Sequence, residues 1–325
     1  MARVPDTTRR DFLVEVAKLY YEDDLSQAEI AGRFDISRSL VSHLLKLSRQ
    51  QGIVEIRIND PRSRAVRLQR QLSARYGLAS AIVVPSAPDL GQTTAQVGRS
   101  AAALLEPLLV DNLRIGISWG TTLHLLVSAV RPVALKGVEV VQLHGGLGSG
   151  DPDIDGFGLA QKLAALLSGS YRIIQAPIVV QSVELKDMLM REPRIAETLR
   201  HGAEARIALF GIGSNIPAIS SLVRTGALTA QESQALLDEG AVGTVCGLHI
   251  DAEGRVSPSS LNRRLVGLSA EALAGIPLRM GVAAGIKKAA AVRAALHGRL
   301  VTSLVVDEEV AEAIVGKEHA PSVRG

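Results

Sequence analysis

Apolar positions in the first 52 residues recur with a helical period that is interrupted twice. Phe12, Val16, Leu19 and Tyr20 lie three and four residues apart between Asp11 and Tyr21, and Glu22-Asp23-Asp24 breaks the stripe. Ser26 then stands as an N-cap with Glu29 three residues on, the spacing of a capping box, ahead of Ala28, Ile30, Ala31 and Phe34. Asp35 and Ile36 leave room only for a tight turn. Ser37 caps a third helix with Leu40, Val41, Leu44, Leu45 and Leu47 apolar, ending near Gly52. The spacing predicts helix, brief turn, helix from Gln27 to Lys46. From Ile53 to Ile58 the period drops to two, which suits the wing of a winged helix, and Pro61 ends it. Arg62 to Tyr76 reads as a linker helix with Arg62, Arg64, Arg67, Arg70 and Arg75 around Val66, Leu68 and Leu72.

From Ala79 onward, short β-rich runs alternate with helical patterns. The runs are Ala81–Val84, Leu113–Ser118, Val138–Leu143, Tyr171–Gln175, Arg206–Phe210, Val242–Cys246, Leu278–Ala283 and Leu300–Val305; helices are expected over Thr93–Leu108, Phe157–Leu167, Gln231–Glu239 and Lys287–Leu296. Strand alternating with helix implies an α/β domain with a mostly parallel sheet covered on both faces, and ligands in such sheets bind beyond the carboxyl ends of the strands. The expected division is a winged helix-turn-helix over 1–60, a linker helix over 61–77 and an effector-binding and oligomerisation domain over 78–325.

Charge sharpens this division. Residues 1–75 hold 14 lysines and arginines against 10 acids, and the remainder holds 22 against 23, so the excess basicity lies wholly in the N-terminal segment. Phosphate-backbone binding needs such local clustering. In a helix-turn-helix the second helix of the motif enters the major groove with its N-terminal side chains leading. The polar positions there are Ser37, Arg38, Ser39, Ser42, His43 and Lys46, with Gln27 at the start of the preceding helix. Arg38 can fork onto guanine, the hydroxyls and His43 can meet base edges or phosphates, and Lys46 can hold the backbone. No run reaches the roughly 18 apolar residues of a membrane span. Arg9, Arg10 and Asp11 stand where a secretory leader needs an apolar stretch, and Cys246 is a lone cysteine in an apolar run. A cytoplasmic protein is expected.

The chemistry of the body lies in the loops after its strands. Trp119-Gly120-Thr121-Thr122, His144-Gly145-Gly146, Gly211-Ile212-Gly213-Ser214 and Ala284-Gly285-Ile286-Lys287-Lys288 each come directly after an expected strand. Glycine lets backbone N–H groups approach an anion, an adjoining helix start adds partial positive charge, and hydroxyls of Ser118, Thr121, Thr122 and Ser214 can donate. These loops predict a cradle for a phosphate ester. No Walker-type or dinucleotide glycine fingerprint is present, and the seven histidines lack metal-ligand spacing, so neither cofactor nor metal is expected.

The head, with Leu19-Tyr20-Tyr21, Leu25-Ser26-Gln27-Ala28-Glu29-Ile30-Ala31, Ile36-Ser37-Arg38 and Gly52-Ile53-Val54, resembles the DNA-binding head of SorC-type sugar-responsive regulators. The body resembles their sugar-binding domain through Ile117-Ser118-Trp119-Gly120-Thr121-Thr122, Gly137 to Leu143, Gly240-Ala241-Val242-Gly243, and Asp307-Glu308 with Ala311. From Ser118 to Leu143 it is nearest to the deoxyribonucleoside regulator branch. The resemblance implies a domain related to ribose-phosphate isomerase and glucosamine-phosphate deaminase, kept as an effector sensor, in a homo-tetramer built as a dimer of dimers that binds operator DNA. It implies that Gly120, Thr121 and Thr122 hold the phosphate of a sugar or polyol, that Lys288 matches the family's lysine, and that Asn262, in Leu-Asn-x-Arg, meets sugar hydroxyls. Two positions depart from the pattern. His144 stands where the deoxyribonucleoside branch has lysine, so no imine can form there. Thr244 stands where many relatives have aspartate, which removes an acceptor for sugar hydroxyls.

Two other functions fit parts of the chain. An isomerase-like enzyme needs a carboxylate base beside the phosphate loop. Asp251, Asp307 and Glu308 are conceivable proton-transfer groups, but the only acids read within the converging loops are Asp151, Asp153 and Asp155. A DNA-binding oligomer without effector would leave the glycine loops without a role. The regulator reading accounts for both halves, and no catalytic residue is expected.

Overall fold

The computed structural model describes residues 6–54, 64–148, 151 and 153–316. The chain divides between Asp60 and Pro61 into two compact units. The first holds α1 (Asp6–Tyr21), α2 (Gln27–Phe34) and α3 (Arg38–Gln50). Ser26 and Glu29 form the reciprocal capping box, and Ser37 Oγ accepts from Leu40 N–H at the start of α3. Between them Asp35 takes a left-handed conformation (φ 51°), which short polar side chains tolerate, and turns the chain sharply. Leu13, Val16, Leu19, Ile30, Val41, Leu44 and Leu45 form the core of this unit, with Phe12 edge-on to Phe34. Ile53 and Val54 are not in a strand, and the rest of the expected wing lies outside the described residues.

The second unit opens with helix α4 (Arg64–Tyr76) and contains one sheet. Its strands are β1 (Ser80–Val84), β2 (Arg114–Ile117), β3 (Glu139–Gln142), β4 (Ser170–Arg172), β5 (Ile207–Ser214), β6 (Gly243–Val245), β7 (Leu248–Ile250), β8 (Leu278–Val282) and β9 (Ser303–Asp307). Seven are parallel, in the order β1-β9-β8-β5-β2-β3-β4. Side chains alternate across a strand, so the buried central strands feed two cores. On β5, Ile207 and Leu209 join the core with helices Leu90–Leu105, Thr121–Ala129 and Gly156–Leu166, whereas Ala208, Phe210 and Ile212 join that of α4, Ala289–His297 and Glu308–Gly316.

Two expectations are overturned by the sheet. Gly211–Ser214, read as a loop, continues β5, whose last three residues pair antiparallel with β6. The β6 run is therefore no parallel strand but one arm of a hairpin with β7, which the pattern missed. The turn between them, Cys246 (φ 49°) and Gly247 (φ 83°), has the positive angles that two-residue hairpin turns require.

Candidate DNA-binding face and effector cavity

On α3 the buried residues Val41, Leu44, Leu45 and Ser48 define one side. Arg38, Ser39, Ser42, His43, Lys46 and Arg49 are all exposed, and together they form a continuous polar face beginning at the helix N-terminus. Ser37 is exposed too, but its hydroxyl is engaged by the cap and lies 2.9 Å from Ser39 Oγ. Gln27 is half-buried. Leu40, assigned to the apolar stripe, is 41% exposed and borders this face, where an apolar side chain can meet a thymine methyl. Its position just outside the i, i+3, i+4 set of the core was the available signal.

In the second unit a cavity of about 500 Å³ lies beyond the carboxyl ends of β1, β2, β5, β8 and β9. Gly120 (φ 124°) turns the chain from β2 into helix Thr121–Ala129, and Gly285 (φ 94°) does the same after β8; both angles are rare for residues with a Cβ. Helix starts carry unsatisfied N–H groups and partial positive charge. Around them stand Thr121, Thr122, Arg224, Lys287 and Lys288, with Trp119, Leu90, Leu123 and Ile212 as apolar wall. Arg224 Nη2 donates to Thr121 Oγ1 at 3.0 Å. The half-buried Lys288 donates its backbone N–H to the Gly285 carbonyl, but its ammonium has no hydrogen bond or ion pair among the described residues. Burial and the neighbouring Arg224 hold its ammonium below the usual lysine range, while Asp307 opposes that shift.

Acids also reach this wall, contrary to the sequence reading: Asp307 and the exposed Glu309 line it. Asp307 is fully buried and accepts from Gly285 N–H, Ser86 Oγ and Val310 N–H, so its oxygens are already committed to the protein. Among the described residues no group of three or more His, Cys, Asp or Glu can hold a metal, and no helix is long and apolar enough to cross a membrane.

Residues 60–316 match the family model for a sugar-binding domain, and residues 8–55 match one for helix-turn-helix proteins of the YlxM / p13 type. The fold also matches that of the full-length sorbitol operon regulator SorC from Klebsiella pneumoniae with a TM-score of 0.82 at 28% identity, covering 96% of this chain and all of that one. This chain belongs to the SorC-type family of sugar-responsive transcriptional regulators. The deoxyribonucleoside regulator of Bacillus subtilis is 33% identical over 311 residues, 95% of this chain and 99% of that protein. The transcriptional regulator LsrR of an Enterobacter species is 32% identical over 95% of this chain and 94% of its own length.

In this SorC-type chain, the cavity gathers Gly120, Thr121, Thr122, Gly211, Gly213 and Lys288 from the expected set, and adds Arg224 and Thr244. Ser118, His144, Gly145, Gly146, Ser214 and Asn262 are not on its wall. His144 is fully buried beneath the edge-on ring of Trp119. Its Nδ1 lies 2.8 Å from the Gly145 carbonyl, which can only accept, so Nε2 is left to accept from Ser118 Oγ at 2.9 Å. Burial pushes its pKa down to about 4. Gly145 N–H donates to the Val266 carbonyl, Gly146 bridges Pro177, and Ser214 Oγ accepts from Ile216 N–H.

Asn262 acts as a clamp on β7. Its Oδ1 accepts from His249 N–H, and its Nδ2 donates to the carbonyls of His249 and Ser257. His249, directly opposite Thr244 in the hairpin, donates from Nδ1 to Asn215 Oδ1. Its Nε2 is buried without a partner among the described residues, and burial pushes its pKa down to about 4. These polar groups set the hairpin that carries Thr244 to the cavity.

Proposed function

We propose that the chain is a cytoplasmic, homo-tetrameric regulator of a carbohydrate catabolic operon whose operator affinity is controlled by a small phosphorylated sugar or polyol. The observation that carries the reading is the cavity chemistry: Lys288 and Arg224 face one space with the Gly120 helix start, and Lys288 lacks a carboxylate partner within 4 Å among the described residues. A half-buried cation without an ion-pair partner is stabilised by an anion that reaches it, and an ester dianion supplies one. Gly120, Thr121, Thr122 and Lys288 hold the phosphate, with Arg224 fixing the Thr121 hydroxyl. Thr244 and Gly213 shape the sugar end. Arg38, Ser39, Ser42, His43 and Lys46 read the operator, flanked by Gln27 and Ser37. The names of the relatives, a deoxyribonucleoside regulator and a sorbitol operon regulator, support an effector of this class.

The test is a thermal-shift screen with ribose 5-phosphate, glucosamine 6-phosphate, sorbitol 6-phosphate and the corresponding unphosphorylated compounds. A ligand at 100 times its Kd stabilises by about 2.7 kcal/mol, a shift of a few degrees for a unit of this size. Lys288→Ala and Thr121→Val remove that shift and leave operator binding intact. Arg38→Ala does the reverse, with roughly 1–3 kcal/mol of base discrimination lost. No shift with any phosphorylated compound refutes the effector reading; turnover of one would favour an enzyme.

A further inference from the structure

We propose that the C-terminal helix Glu308–Gly316 is the relay that carries cavity occupancy to the linker helix α4, through Asp307 at one end and the Arg64–Glu312 pair at the other. The inference rests on the cavity being the effector site.

The near end is fastened to two cavity loops. Asp307 closes β9 and is 0% exposed. Its Oδ2 accepts from Gly285 N–H at 2.7 Å, and its Oδ1 accepts from Ser86 Oγ at 3.2 Å and from Val310 N–H at 3.1 Å. Ser86 Oγ also accepts from Glu309 N–H at 3.3 Å. The first turn of the helix thus shares one carboxylate and one hydroxyl with the turn that carries Lys288 and with the end of β1.

The far end is fastened to α4. Glu312 pairs with Arg64, the first residue of α4, and Arg75 in its last turn donates to the Val315 carbonyl. Between these polar ties, Val310, Ala311 and Ile314 share an apolar core with Leu68 and Leu72 of α4. At nine residues this helix is about 13.5 Å long, which spans the distance from the cavity end to its contacts with α4. Along the chain, Arg64 comes only four residues after the helix-turn-helix unit.

Occupancy alters the forces on this helix. The protein charges acting on Lys288 are Arg224, which repels it, and Asp307, which attracts it; Lys287 and Glu309 stand on the same wall. A bound dianion takes over Lys288 and adds negative charge on the Asp307 side. The Gly285–Asp307–Val310 bonds then favour a different position of the helix start. A ligand shifts an equilibrium only by its differential interaction with two states, and this contact supplies the difference.

The relay is tested as a coupling free energy, since spatial intermediacy alone shows no coupling. The full-length protein is titrated with ribose 5-phosphate, glucosamine 6-phosphate and sorbitol 6-phosphate. Binding is read from Trp119, the single tryptophan and part of the cavity wall. Affinity for a labelled duplex, selected by the protein from a random pool, is read by anisotropy with and without the sugar phosphate that binds. Arg64→Gln, remote from the cavity, is expected to leave the sugar-phosphate Kd within about twofold while moving the ratio of duplex affinities at least about threefold toward one, the size of an exposed ion pair. Arg64→Glu combined with Glu312→Arg restores the ratio. Asp307→Asn reduces the ratio and also weakens sugar-phosphate binding. Unchanged ratios in Arg64→Gln and Asp307→Asn, with sugar phosphate still bound, overturn the relay alone. If no compound perturbs Trp119, the effector reading fails and the relay falls with it.

Discussion

Acid should destabilise the sheet unit through two additive contributions, from His144 and His249, that fall in one pH window. Each imidazole titrates at about 4 in the folded chain and at about 6.5 when exposed. Because the folded value is the lower one, the unfolded chain binds the extra proton. The contribution to stability is whole above pH 6.5 and is lost as pH falls toward 4. A difference of about 2.5 units is worth about 3 kcal/mol per imidazole when fully expressed, and about 2 kcal/mol at pH 5. The pair together should therefore remove about 4 kcal/mol between pH 7.5 and pH 5, a large part of a domain's stability. Glu139 does not confuse this window. Burial raises its pKa, but the hydrogen bonds from His201, Arg172 and Arg114 outweigh burial and bring it to about 2. Its contribution is present above about 4.5 and is lost only below that. The assay is urea unfolding monitored by Trp119 fluorescence at pH 7.5, 6.5, 5.5 and 5. As the single tryptophan lies in the sheet unit, the signal excludes the DNA-binding head. His144→Gln and His249→Gln should each lower the starting stability and halve the slope against pH. A parent protein equally stable at pH 7.5 and 5, or slopes unchanged in both variants, would refute the reasoning.

The packing leads to three more expected outcomes. Asn262→Ala should cost roughly 2–3 kcal/mol in urea melts, because His249 N–H and the Ser257 carbonyl lose the Asn262 side chain, while the His249 carbonyl keeps Ser257 N–H; a change confined to effector affinity would return Asn262 to the binding site. Gly213→Ala should lower stability by roughly 1–3 kcal/mol, since a Cβ there meets Thr244 Oγ1 at 2.4 Å. Adding Thr244→Ala should recover the stability lost, and failure of that rescue in thermal melts would place the strain elsewhere. Ser37→Ala should destabilise the helix-turn-helix unit by about 1 kcal/mol through the lost cap of α3, read by far-ultraviolet circular dichroism melts.

The head was legible residue by residue because its rules are local. A capping box, an N-cap and a buried stripe involve partners no more than four positions apart, and α2 and α3 begin where those signals fall. The alternation of strand and helix was legible for a similar reason, since fully buried strands show as apolar runs. The β6–β7 hairpin was not. Its arms are three residues each, and its turn uses Cys246-Gly247 in place of an asparagine-glycine pair. Asn262 misled because its partners, His249 and Ser257, are brought to it by that unseen hairpin.

The role of Asp307 belongs to topology rather than pattern. In the chain it is 22 residues beyond Gly285 and 221 beyond Ser86. Only the strand order β1-β9-β8 sets the three ends side by side, so that one carboxylate can accept from each neighbouring loop. The same order decides the electrostatics of the cavity. Lys288 comes after β8 and Asp307 ends β9, so the lysine meets a carboxylate whose oxygens are already committed to the backbone and Ser86. That attraction acts on the ammonium from outside ion-pair distance and leaves its charge without a salt-bridge partner among the described residues. Under the proposed function, a neutral sugar would leave this imbalance in place and a phosphate ester would remove it, so a screen that pairs each sugar phosphate with its unphosphorylated parent is expected to separate the two by charge before it separates sugars by shape.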